Sequence, residues 1–146
     1  MLEIKSPQTK QEWEDYFDLR YRLLRQAWGQ KKGSEKDALE DKSKHFGLYE
    51  KGKLLAVARL DVHEKKAQIR YFAVELEYHG KGIGKVLLNH IEDYCKAQQI
   101  NYLFLQAREN AVPFYLKHKY NIVEKTHLLF GSIQHFKMEK CLVIND

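Results

Sequence analysis

The chain has 146 residues, 44% of them hydrophobic and 12% aromatic, enough for one compact domain with a core of its own and too much for an intrinsically disordered chain. Eight glycines and two prolines exclude collagen-like and proline-rich linker classes. Lys and Arg number 25 against 20 Asp and Glu, a net charge of +5, which permits a phosphate-rich ligand without requiring nucleic acid.

In chain order, Leu2–Lys5 alternates and reads as a first strand. Thr9-Lys10-Gln11-Glu12 is a capping box that opens a helix. Trp13, Phe17, Leu24 and Ala27, with Tyr16 and Leu23 beside them, lie near helical spacing, and the helix fails by Gly29. The polar stretch from Gln30 to Lys44 predicts a loop with a short helix around Glu35 to Glu40. His45 to Glu50 and Leu54 to Val62 read as a hairpin about Lys51-Gly52, and Ala67 to Val74 as the next strand, with Ile69, Tyr71 and Ala73 on one face. The clearest helix runs from Gly82 to Gln98, its apolar face traced by Ile83, Leu87, Ile91 and Tyr94/Cys95. Tyr102 to Gln106 reads as a short buried strand. Ala111 to Lys117 reads as a helix with Pro113 in its first turn. Two closing strands, from Ile122 toward Phe130 and from His135 to Leu142, flank Gly131-Ser132. The order of elements is that of a mixed α/β single domain spanning 1–146.

Cys95 and Cys141 are too few for a disulfide framework, and no Cys/His cluster points to a metal, so reduced thiols in a cytoplasmic protein are expected. Glu3 and Lys5 interrupt any apolar run at the start, so no signal peptide is expected. No stretch approaches the ~18 apolar residues of a membrane span, so no membrane partner is expected.

Gly80, Gly82 and Gly84 fall within five residues, between a strand end at Val74 and the start of the best helix. Glycine there allows a sharp turn and close approach of a ligand to the backbone. The helix adds unpaired N–H groups and the positive end of its dipole, and Lys81 and Lys85 add charge. Together these read as a cradle for a diphosphate; the alternative is a plain glycine turn with no ligand, although three glycines in five residues cost backbone entropy that such a turn does not require. A Walker A loop needs four residues between its glycines followed by Lys and Ser/Thr. The dinucleotide fingerprint needs Gly-x-Gly-x-x-Gly. Gly80-Lys81-Gly82-Ile83-Gly84-Lys85-Val86 is neither. A KH-type clamp on nucleic acid does not normally follow an antiparallel strand, and no basic stripe with interleaved aromatics is evident, so nucleic acid is not an expected partner.

The segment Tyr78-His79-Gly80-Lys81-Gly82-Ile83-Gly84-Lys85-Val86-Leu87-Leu88 resembles the acyl-CoA pyrophosphate loop of the GNAT superfamily of N-acetyltransferases, with His79 where the family has Gln or Arg. Leu103-Phe104-Leu105 resembles the family's fifth strand, and Asn110-Ala111-Val112-Pro113-Phe114-Tyr115 its following helix. Lys119-Tyr120 replaces the usual Gly-Phe after that helix. Phe130 to Met138 is similar to a small bacterial subgroup with a Gly-Ile-x-His-x-x-Met ending, as are Leu19-Arg20-Tyr21-Arg22 and Gly33-Ser34-Glu35-Lys36-Asp37.

The resemblance implies a GNAT-like α/β domain: a mixed, mostly antiparallel sheet of six to seven strands flanked by about four helices. It implies acetyl-CoA as co-substrate, transfer of its acetyl group to a primary amine of a small molecule or peptide, and dimers as a common assembly. The alternative is a non-catalytic acyl-CoA sensor of the same fold. It further implies that Phe72, Ala73, Val74, His79, Gly80, Lys81, Gly82, Ile83, Gly84, Lys85 and Asn110 bind the cofactor, with a backbone N–H near Val74 as oxyanion donor. Tyr115 is the implied acid, protonated at neutral pH with a reference pKa of ~10. Read without the family, Tyr115 is first a core aromatic, and Asn110 is equally a helix cap. Glu75 and His135 are candidate bases, though Glu75 also reads as a solvated loop acid and His135 as a structural strand residue. Arg22, Trp28 and Glu35 lie in the acceptor-side segment and Arg108 after the fifth strand, as candidate substrate contacts. Trp28 also reads as ordinary packing.

Overall fold

The computed structural model describes residues 1–144. Seven strands form one sheet: β1 (Leu2–Lys5), β2 (Lys44–Glu50), β3 (Lys53–His63), β4 (Lys66–Val74), β5 (Tyr102–Arg108), β6 (Asn121–Leu129) and β7 (Ile133–Cys141). Their order is β1-β2-β3-β4-β5-β7-β6. β4 and β5 pair in parallel, while β1 with β2, β2 with β3, β5 with β7 and β6 with β7 pair antiparallel. The mixed, mostly antiparallel sheet is the one expected. Among the described residues there are three α-helices, α1 (Lys10–Leu24), α2 (Ile83–Ala97) and α3 (Val112–Lys117), rather than about four. The helix expected around Glu35 to Glu40 is a single 3-10 turn at Glu40–Lys42. Its carboxylates explain the difference: Glu40 accepts from the Asp37 N–H at 3.0 Å and Asp37 from the Leu39 N–H at 2.9 Å. Side chains that bond the local backbone in this way compete with helix formation.

The chain forms two compact units, residues 1–61 with 71–91, and residues 62–70 with those from 92 onward. In the first, the capping box closes as expected: the Thr9 side chain accepts from the Glu12 N–H at 3.0 Å and Glu12 accepts from the Thr9 N–H at 3.2 Å. The apolar stripe of α1 buries Tyr16 and Leu19, with Trp13, Phe17, Leu23 and Leu24 packed beside Tyr49, Leu54, Val57 and Ala73. α1 stops at Leu24, and Gly29 takes the left-handed conformation at φ +70° after a short 3-10 turn.

In the second unit, Leu103, Leu105 and Ala107 of β5 are buried while Tyr102, Phe104 and Gln106 between them are half-buried, the period of two of a strand. α3 ends in a Schellman motif. Lys119 sits at φ +74°, its N–H bonds the Leu116 carbonyl at 3.1 Å, and the Tyr120 N–H bonds the Tyr115 carbonyl at 3.0 Å. The ring of Tyr120 meets that of Tyr115 edge-on at 5.6 Å. This is the hydrophobic contact that accompanies the motif, made here across a lysine that pays roughly 1 kcal/mol for a glycine's conformation. The Tyr120 hydroxyl donates to buried Glu92 at 2.8 Å, and Lys140 donates to Glu92 at 2.9 Å and to the His118 carbonyl at 3.0 Å. The corner is therefore tied to α2 and β7 by a closed polar network.

Candidate active site

β4 ends at Val74, and a 3-10 turn at Leu76–Tyr78 leads into the glycine loop. Gly80 and Gly82 both take left-handed backbone, φ +78° and +80°, which a side chain would oppose. A Cβ placed on either meets nothing within 4 Å, so the loop borders open space. Gly84 is the second residue of α2 and is helical, so it lies beyond the turn. The Val86 N–H donates to the Gly82 carbonyl at 3.1 Å. By helical geometry the N–H groups of Ile83, Gly84 and Lys85 then point out of the helix end, where an anion is favoured. The side chains of Lys81 and Lys85 are exposed. His79 lies with its Nε2 at 2.8 Å from the Val74 carbonyl, so in the neutral ring Nε2 carries the proton and donates it to the strand end.

The strand end is fixed on several sides. The Glu75 N–H bonds the Leu55 carbonyl at 2.9 Å. Both carboxylate oxygens of Glu75 are held by Arg22, at 3.1 and 2.9 Å, and Arg22 also bonds Asp18 at 2.7 Å. These acidic partners raise the Arg22 pKa further. Two residues expected in separate roles, Glu75 as base and Arg22 as substrate contact, are thus a bidentate ion pair. The pair orients the Glu75 carboxylate and competes for its lone pairs.

Glu35 is buried at 3% exposure and accepts from the Gly33 N–H at 2.8 Å. It closes its own loop, which argues against the substrate contact expected of it. Trp28 ends the 3-10 turn after α1 and is half-buried.

Tyr16, Arg20, Glu35, His45 and Arg59 are all buried. Arg59 spends its donors on Asp37, Glu40 and Asp61 at 2.7–3.0 Å. Arg20 donates to Glu40 at 2.9 Å and to the Glu35 carbonyl at 3.0 Å. Burial shifts His45 toward its neutral form, and its ring lies 2.9 Å from the Tyr16 hydroxyl, which donates to the Ala58 carbonyl at 3.0 Å. Sequence reasoning missed this cluster. The available clue was a charge in an apolar setting: Arg20 on the Tyr16–Leu19–Leu23 stripe, Arg59 inside the run Leu54 to Leu60.

In the second unit, β5 and β7 set Arg108 directly opposite His135, bringing two predicted residues together. His135 is buried, its Nδ1 lies 3.0 Å from the Ile133 carbonyl, and its ring stacks on His127 at 4.3 Å. With Nδ1–H donated, Nε2 is the basic nitrogen of the neutral ring. Asn110 lies in a 3-10 turn, exposed, and α3 is capped by Ala111 with no side-chain bond. Its amide is therefore not the helix cap. Tyr115 is buried at 5% exposure, edge-on to Phe114 at 5.1 Å, and burial pushes its phenol well above the ordinary value of 10.0. Among the described residues no cluster of three His, Cys, Asp or Glu is placed to hold a metal, and no helix is long and apolar enough to cross a membrane.

The chain is 26% identical over 106 residues, 73% of its length and 76% of the relative's, to the uncharacterized N-acetyltransferase YjcF of Bacillus subtilis (strain 168). It superposes with a TM-score of 0.80 on an acyl-CoA N-acyltransferase from Pseudomonas aeruginosa, at 21% identity over 96% of this chain and 98% of that one. It superposes at 0.82 on an aminoglycoside 6'-N-acetyltransferase complexed with coenzyme A, at 12% identity over 100% and 99% of the two chains. These two likenesses establish the fold. Residues 2–120 match the model of the acetyltransferase (GNAT) family, and the chain belongs to that family: it is an N-acetyltransferase that transfers an acetyl group from acetyl-CoA.

Proposed function

We propose that the described loop holds the diphosphate of acetyl-CoA and that residues 1–146 work as one acyltransferase domain on a primary amine of a small molecule or peptide. The observation that carries this reading is the pair of left-handed glycines, Gly80 and Gly82, facing open space at the mouth of α2. The N–H groups of Ile83, Gly84 and Lys85 bind phosphate oxygens, with Lys81 and Lys85 balancing charge. His79 leaves the Val74 carbonyl to donate to a phosphate oxygen, and the strand end Phe72–Val74 pairs with the pantetheine arm. Asn110, whose amide is not used as a helix cap, adds a bond to that arm.

Acetyl-CoA supplies an activated thioester carbonyl. The neutral amine attacks it, the C–N bond forms, and the carbonyl oxygen becomes an oxyanion that a backbone N–H near Val74 stabilises. The C–S bond then breaks, the electron pair leaves on sulfur, and the phenol of Tyr115 gives the thiolate its proton. Burial keeps that phenol protonated across neutral pH. The nitrogen's surplus proton passes to a base, for which Glu75 and Nε2 of His135 are the proposed acceptors. Arg22, Trp28 and Arg108 are the proposed substrate contacts. The cytoplasm, where acetyl-CoA is available and the thiols of Cys95 and Cys141 stay free, is the proposed compartment.

The test is Gly82→Glu followed by calorimetric titration with acetyl-CoA. Bulk and negative charge enter the cradle, so saturable binding should be lost while the protein still melts cooperatively. Parental affinity in the variant would remove the loop from the site.

A further inference from the structure

Tyr71 stands in the middle of β4 with φ +53°. A bulky aromatic in that region is a genuine outlier, held only where its surroundings over-determine it. Three guanidinium groups face its ring, Arg20 at 4.2 Å, Arg59 at 5.0 Å and Arg25 at 5.6 Å. Arg20 and Arg59 are fully buried, where a cation over an aromatic face is attracted most strongly. Each of the three also holds the acceptor-side loop. Arg20 bonds the Glu35 carbonyl and Glu40, Arg25 bonds the Ser34 carbonyl at 3.3 Å, and Arg59 bonds Asp37 and Glu40. On the other side, Tyr71 is followed directly by Phe72, Ala73 and Val74. Glycine adopts this backbone freely, so a tyrosine here points to a task for the ring.

We infer that Tyr71 is a positioning residue: its ring, stacked on Arg20, Arg25 and Arg59, couples the acceptor-side loop at residues 33–42 to the cofactor-facing strand end Phe72–Val74. The inference rests on the acetyl-CoA reading above. The kink sets the direction of the N–H and carbonyl groups that follow it, and the arginines fix the kink to the loop. Pantetheine pairing along Phe72–Val74 therefore orders the loop, and a misordered loop loosens the pantetheine contact. The diphosphate cradle lies beyond this linkage and is unaffected by it.

The experiment compares parent, Tyr71→Gly and Tyr71→Phe in calorimetric titrations with acetyl-CoA and with ADP, which carries the diphosphate but no pantetheine. Tyr71→Gly keeps the backbone conformation accessible and removes the ring. It should bind acetyl-CoA about tenfold more weakly or worse, about 1.4 kcal/mol, and bind ADP within about threefold of the parent. Tyr71→Phe keeps the ring and should restore acetyl-CoA affinity to within about threefold. In hydrogen exchange, acetyl-CoA should slow the amides of residues 33–42 in the parent and in Tyr71→Phe, and leave them unchanged in Tyr71→Gly. Parental acetyl-CoA affinity and loop protection in Tyr71→Gly would overturn the inference, as would equal losses for ADP and acetyl-CoA, the mark of general destabilisation. A parent that binds neither ligand would overturn the acetyl-CoA reading itself, and the inference with it.

Discussion

Tyr120→Phe removes a single oxygen from the corner where α3 ends. Tyr120 is 1% exposed and its hydroxyl donates to Glu92 at 2.8 Å. Phenylalanine fills the same space, so no cavity opens and the loss is confined to one hydrogen bond onto a carboxylate. Such bonds contribute about 1.5–3 kcal/mol. The cost stays below the about 3–5 kcal/mol of an unpaired buried charge, because Lys140 still holds the other oxygen of Glu92 at 2.9 Å. For a chain of this length about 3 °C of melting temperature follows each kcal/mol, so the midpoint should fall by roughly 5–9 °C. Differential scanning calorimetry measures it. Glu92→Gln in parent and Tyr120→Phe backgrounds completes a double-mutant cycle that isolates the pair. A midpoint within about 1 °C of the parent would show that the hydroxyl's bond to water in the unfolded chain is as good, and the corner's polar network would then be structural decoration.

In the same corner, Lys119→Gly relieves the left-handed lysine at φ +74° and should raise stability by about 0.5–1 kcal/mol, read as a higher denaturant midpoint at unchanged slope. Burial raises the phenols of Tyr16, Tyr115 and Tyr120 and pushes the Cys95 thiol up to about 12. The folded protein keeps a thiol proton that the unfolded chain releases from pH ~9 and phenolic protons that it releases from pH ~10, so stability should be flat in these groups at neutral pH and fall as pH rises above ~9. Melting curves across that range check the sign. Tyr115→Phe should leave acetyl-CoA affinity near the parental value and slow acetyl transfer by roughly 10- to 1000-fold, the span of general-acid contributions, with the loss in the chemical step of single-turnover kinetics.

Element type and order were legible because each element announces itself locally. The Thr9–Glu12 box, the Ile83–Leu87–Ile91 stripe and the turn residues at Lys51-Gly52 and Gly131 carry their own conformational preferences. The glycine loop was legible for the same reason, since left-handed backbone at Gly80 and Gly82 is a property of two residues and not of their neighbours. What escaped was decided by partners distant in sequence. Arg22 and Glu75 are 53 residues apart, and neither one's surroundings reveal that they chelate. The segment from Glu35 to Glu40 has helical composition, yet its carboxylates are drawn to Arg59, and the helix is lost to a 3-10 turn. Tyr71 looked like one more apolar face residue beside Ile69 and Ala73. Its left-handed conformation is recorded by nothing in Arg70-Tyr71-Phe72, and the guanidinium groups that face its ring belong to Arg20, Arg25 and Arg59, distant in sequence. His79, by contrast, is engaged locally: its ring bonds the Val74 carbonyl five residues back, across the turn at Leu76–Tyr78.

Acetyl transfer to a primary amine at this site can be followed by mixing the parent and Gly82→Glu separately with acetyl-CoA and a panel of primary amines and free-α-amine peptides. Released thiol and acetylated amine are both quantified. At least one amine should gain an acetyl group in step with free CoA, and Gly82→Glu should abolish both. Saturable acetyl-CoA binding by the parent with no amine acetylated and no thiol released, or acetylation that persists in Gly82→Glu, would contradict it.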